Sequence, residues 1–114
     1  MKPKFGSFGA DGFVYALVHE RHIKFYFLYL LLFSGFAIWA DISTWLYIEG
    51  FMYFLFLVIF ELINTALEIM CDFISTDRSI EIKRIKDLGA AIVFAHGFFA
   101  GTLLAVNTLL HVLG

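Results

Sequence analysis

The chain has 114 residues, 61% of them apolar and only 16% charged, with a formal net charge of −2 and a mean hydropathy of +0.87. The length allows one domain, and the composition excludes an ordinary soluble one, which carries more charge and less apolar sequence. The lone cysteine, Cys71, excludes an internal disulfide and a multi-cysteine metal site; its apolar neighbours predict a packed thiol.

Residues 1–22 are mixed in character. Phe13, Ala16 and Leu17 recur at helical spacing, with Glu20 and Arg21 polar, which predicts a short amphipathic surface helix over about 5–22. Phe25 to Ala40 carries no charge, and neither does Gly50 to Phe60; the second run extends to Cys71 if Glu61 and Glu68 are tolerated. Leu88 to Gly114 contains no Asp, Glu, Lys or Arg. A membrane span needs about 20 apolar residues. Three spans are therefore predicted, near 24–41, 45–72 and 86–112. The runs are too continuous for barrel strands, which leaves helices as the structure that satisfies its backbone in lipid. The predicted fold is an all-α integral membrane protein of three transmembrane helices and an N-terminal surface helix. No signal-peptide pattern is visible.

Lys2, Lys4, Arg21 and Lys24 precede the first span, and Arg78, Lys83, Arg84 and Lys86 separate the second from the third. The loop around Asp41 to Glu49 has no basic residue. All eight bases thus fall on one side, which the positive-inside rule makes cytoplasmic, with the C-terminus outside. Trp39, Trp45 and Tyr47 then cluster at the outer interface. Gly97 and Gly101 in the third span form a GxxxG pair, read as a helix–helix contact within or between chains. Three helices make a thin bundle for burying carboxylates, so an oligomer is expected.

The second span is interrupted by ELINTALEIMCD at 61–72. At about 100° per residue, Glu61, Glu68 and Asp72 share one face, flanked by Asn64 and Thr65. Ionisable groups in a span are costly and face a cavity or partner. Glu20 at the mouth of the first span, and Lys86 and Asp87 opening the third, are expected at the same end. Paired carboxylates suit a hard cation such as Mg²⁺, and a lysine suits phosphate. A further carboxylate set away from water suits a general base. These are the parts of a phosphoryl-transfer site facing a lipid acceptor. Neither a Walker-type nor a kinase-type glycine-rich loop is present, and no nucleic-acid partner is expected.

The stretch at 61–72 resembles the E-x-x-N-[ST]-A-x-E-x-x-x-D signature of the small bacterial membrane diacylglycerol kinases. K-D-L-G-A-A-I-V at 86–93, E-R at 20–21 and W-A-D at 39–41 extend the likeness over nearly the whole chain. The resemblance implies a homotrimer in the bacterial cytoplasmic membrane that transfers the ATP γ-phosphate to diacylglycerol, giving phosphatidic acid. It implies Glu61 as general base, and Glu20 and Glu68 as ligands of the Mg²⁺ carried by ATP. Lys86, Asp87, Asp77, Arg78 and Ser79 would contact the nucleotide. Asn64 and Asp72 would order the site, and Trp39, Asp41 and Ala90 would join Glu61 along the lipid acceptor. Glu20 of one chain is expected to serve Glu68 of a neighbour. Three departures stand out: the Gram-negative enzymes carry an arginine near the nucleotide where this chain has Met1, the family's glutamate–tyrosine–histidine loop is Asp77-Arg78-Ser79 here, and the E-R-N of Gram-positive relatives is Glu20-Arg21-His22. His19 and His22 are read as interfacial polar residues and His96 as a packing residue. The alternatives are an undecaprenol kinase of the same family, a small proton-coupled transporter, and an assembly factor without chemistry.

Overall fold

Four helices carry the described residues, 9–74 and 79–114, of a computed structural model: α1 (Ala10–His19), α2 (Arg21–Ala40), α3 (Thr44–Ile74) and α4 (Ile80–Leu113). No strand occurs among the described residues. α2, α3 and α4 are each long and apolar enough to cross a membrane. The expected start of the surface helix at residue 5 lies outside the described residues.

Local chemistry sets the helix ends. Glu20 is extended (φ −96°, ψ 111°) and stands between α1 and α2, closing the first with a 2.8 Å bond from its N–H to the Ala16 carbonyl. This one-residue break turns the chain without proline or glycine. α2 ends at Asp41, whose backbone is left-handed (φ 52°, ψ 51°). Aspartate accepts that conformation better than most side chains, because its short polar group bonds locally. Ser43 Oγ accepts from the Leu46 N–H at 3.2 Å as α3 begins, and Ser79 Oγ accepts from the Ile82 N–H at 3.2 Å as α4 begins. Both are N-cap bonds. The Ser79 cap starts α4 six residues ahead of the expected span at 86. Apolarity marks only the lipid-facing part of a helix, and the charged residues 81–87 include good helix formers.

α3 is the central helix. In its most apolar window 39% of residues are buried, against 6% in α2 and 11% in α4, so the other two wrap around it. Its buried residues Leu46, Gly50, Phe54, Leu57, Val58 and Glu61 recur at spacings of three and four, one helical face. Phe54 and Val58 form the core with Ile23 of α2. Polar staples fix the register. Tyr29 donates its hydroxyl to the Gly50 carbonyl at 3.0 Å, and Ser34 and Tyr47 share a hydrogen bond of 2.9 Å. Between α3 and α4, Tyr53 donates to the Gly97 carbonyl at 2.9 Å, while the His96 ring nitrogen Nε2 donates to the Tyr53 carbonyl at 3.2 Å. A Cβ on Gly101 would lie 2.9 Å from the Tyr53 hydroxyl oxygen. The GxxxG notch therefore seats a tyrosine of the same chain. At the far end of this pair, Asn107 Nδ2 donates to both oxygens of Glu49, at 3.0 and 3.1 Å.

Candidate active site

The single-residue break at Glu20 aims that side chain back toward α3, and α2 then starts with His22 and Tyr26 one turn apart. Both reach Glu61. His22 Nδ1 donates to Oε1 at 3.2 Å, and the Tyr26 hydroxyl donates to Oε2 at 3.5 Å. Glu61 itself is only 2% exposed. An uncompensated charge there would cost several kcal/mol, so these donors are what make a carboxylate tolerable in the bundle. Glu20, His22 and Glu61 bring one potential ligand atom each within 4.8 Å of one another. Burial pushes the Glu20 carboxyl above its usual range, and the adjacent Glu61 carboxyl adds to the shift.

Further along the same face, Asn64 is buried and its Nδ2 donates to Glu68 Oε1 at 3.3 Å. Its other atom, Oδ1, has no hydrogen-bond partner among the described residues and abuts Gly89 of α4, where a Cβ would collide with it. Gly89 is thus the close approach that lets α4 pack over Asn64. Beyond it, Lys86 Nζ bonds Asp72 Oδ1 at 2.7 Å and Lys83 Nζ bonds Asp87 Oδ2 at 2.6 Å. Both pairs are exposed and contribute little stability. Their consequence is electrostatic: two cations stand ready at the end of the bundle, each held by an acid that a stronger anion can displace.

The predicted site residues therefore divide. Glu20, Glu61, Asn64, Glu68, Asp72, Lys86 and Asp87 gather at one end. Ser79 is there too, engaged as the α4 cap. Ala90 follows Gly89 on α4 and is half-buried. Asp77 and Arg78 lie outside the described residues. Trp39 and Asp41 sit at the opposite end of α2, about 25 Å along the helix from His22 at 1.5 Å per residue. Asp41 is engaged as the left-handed cap there, and Trp39 is 82% exposed. Within the chain Glu20 lies against Glu61 beside His22; Glu68 lies two turns beyond Glu61 and is held by Asn64. His22 and Tyr26 are the residues that reading the sequence as a polar face on α3 alone passes over. Their i, i+4 spacing directly after Glu20 is the available signal.

An apolar cavity of about 690 Å³ opens beside this cluster. It lies between α1 and α3, walled by Phe13, Tyr15, Ala16, Leu62, Ala66 and Ile69, with Thr65 as a polar lining residue one turn from Glu61.

Donor chemistry provides the test for a divalent cation. Two carboxyl groups and an imidazole converge, an oxygen-rich set that fits Mg²⁺ apart from the ring nitrogen. A model of the prokaryotic diacylglycerol kinase family matches residues 7–108. The chain belongs to that family. It is a multi-pass membrane protein of a lipid kinase family, consistent with its three apolar helices. No curated protein and no solved structure matches the chain.

Proposed function

We propose that the protein phosphorylates a membrane lipid hydroxyl with ATP, diacylglycerol giving phosphatidic acid, at the charged end of the bundle. The observation that carries this reading is the juxtaposition of buried, hydrogen-bonded Glu61 with an apolar cavity on one side and the Lys86–Asp72 and Lys83–Asp87 pairs on the other. An acyl chain under α1 would lead its glycerol hydroxyl to the Thr65–Glu61 turn. Glu61 accepts the hydroxyl proton as the oxygen attacks the γ-phosphorus, and ADP leaves on the opposite side. His22 and Tyr26 hold the carboxylate in orientation for that transfer. Lys86 exchanges Asp72 for a phosphate oxygen, and Asp87 and Ser79 border the nucleotide, together with Asp77 and Arg78. Asn64 fixes Glu68. Mg²⁺, held by Glu20 and Glu68, supplies charge neutralisation on the phosphates. The Glu20–Glu68 pairing is made between neighbouring chains of a homotrimer. The charged end faces the cytoplasm of the inner membrane, with the C-terminus outside and α1 lying on the membrane surface.

The deciding experiment is transfer from labelled MgATP in mixed micelles offering diacylglycerol and undecaprenol together. Labelled phosphatidic acid is the expected product. Labelled polyprenyl phosphate would keep the site and change the acceptor. Glu61→Gln should lower the rate roughly 10²–10⁴-fold, the usual contribution of a general base, while MgATP binding by calorimetry stays near wild type. Normal turnover in this variant would remove Glu61 from the mechanism.

A further inference from the structure

The Mg²⁺ reading uses carboxylates and leaves the imidazole at the same point unexplained. His22 is 58% exposed on its side chain, yet its Nδ1 is directed at buried Glu61. Imidazole suits zinc-like transition cations, whereas Mg²⁺ prefers oxygen and retains its water. The separation also fits. Bonds of about 2.0–2.1 Å to a tetrahedral cation place neighbouring donors about 3.3–3.4 Å apart, and Nδ1 lies 3.2 Å from Glu61 Oε1. A cation between them would take the place of the proton they now share. Thr65 Oγ1, one turn beyond Glu61, is buried with no partner within hydrogen-bond distance and angle. The Thr65 residue is 7% exposed. It offers a fourth oxygen, directly or through water, to whatever sits among the three ligands.

We propose that Glu20, His22 and Glu61 form a site for a zinc-class divalent cation, which shares Glu20 with the Mg²⁺ that arrives with nucleotide. Binding stands apart from the kinase reading. Its consequence rests on that reading: a cation coordinated by Glu61 occupies the lone pair that would take the acceptor's proton, so the filled site silences transfer.

The test uses the full-length, tag-free chain in detergent micelles with no nucleotide or lipid acceptor. Co²⁺ serves as a spectroscopic probe and Zn²⁺ as its competitor. The expected result is the intense visible absorption of four- or five-coordinate cobalt, abolished by Zn²⁺ and unaffected by millimolar Mg²⁺. His22→Asn should weaken the affinity at least about tenfold, on the scale seen when metal-site partners are lost, and Glu20→Gln should do likewise. His19→Asn, a control on the neighbouring exposed ring, should bind as wild type does. Thermal melts without metal establish that each variant is folded, and Zn²⁺ should raise the wild-type midpoint more than that of His22→Asn. Equal affinity in wild type and His22→Asn, or only the pale spectrum of six-coordinate cobalt, overturns the proposal. Because the readout contains no ATP, failure of the kinase reading would leave this result unchanged, and failure here would leave that reading intact.

Discussion

The Glu20 carboxyl holds its proton more tightly in the folded chain than in the unfolded one, because burial and then Glu61 disfavour its charge. Its pKa is raised above the usual 4.5. The stability this adds is complete below the unfolded value and is lost as pH rises through the folded value. In metal-free protein the melting temperature should therefore fall as pH climbs above 4.5, and Glu20→Gln should flatten that fall. An identical pH slope in the variant would show that folding does not shift the Glu20 carboxyl. Asp41 makes a second residue-scale prediction. If its work is to cap α2, Asp41→Gly should retain transfer at full rate, and Asp41→Val should lower stability by about 1–2 kcal/mol in detergent unfolding. Loss of transfer in a stable Asp41→Gly protein would return the residue to acceptor recognition. The contrast shows what a motif conveys. The acids of ELINTALEIMCD were legible as one face because helical periodicity is local. The role of Asp41 was not, because a left-handed φ leaves no mark in residue spacing. His22 was hidden for another reason: its partner is 39 positions away.

At the scale of elements, the α3–α4 contact is a tyrosine laid into a notch. Tyr53→Phe removes one hydrogen bond and should cost about 0.6 kcal/mol, the average for such bonds in a bilayer protein. Gly101→Leu would drive a side chain into the same ring and should cost about 1–3 kcal/mol as overpacking. Equal costs would mean that the hydroxyl, not the close approach, holds the pair. The small residues of α4 announced a contact, but GxxxG does not say whether a second helix or a single ring fills the gap. The three long helices were visible as apolar runs. Their ends were not, since caps at Ser43 and Ser79 act through side-chain oxygens that hydropathy ignores. The break at Glu20 also lacked the usual glycine or proline.

For the whole molecule, the outward faces of α2 and α4 carry Leu31, Leu32, Phe94, Phe98 and Phe99 exposed, surface that lipid or sister chains must cover. The proposed homotrimer makes a sharp prediction. Glu20→Gln and Glu68→Gln chains should each be inactive alone. If each site takes Glu20 from one chain and Glu68 from the next, random co-assembly of the two should restore about a quarter of the wild-type rate, since each position is intact half the time in a cyclic assembly. Sites built within single chains would give none. The measurement is phosphotransfer by mixtures reconstituted from unfolded chains at equal ratio.

The 31 residues of α3 have one more consequence. At 1.5 Å per residue the helix is about 46 Å long, some 16 Å more than a hydrocarbon core of about 30 Å. With its Thr44 end at one boundary, the other boundary falls near Asn64, so Glu61 hangs barely inside the oil and Glu68 and Asp72 stand among headgroups. Hydrophobic mismatch then becomes a control on rate. A thicker bilayer draws Glu61 away from the nucleotide, and a thinner one bathes it in water. The protein would work as a gauge of membrane thickness, fastest where the lipid edge crosses α3 between Glu61 and Glu68.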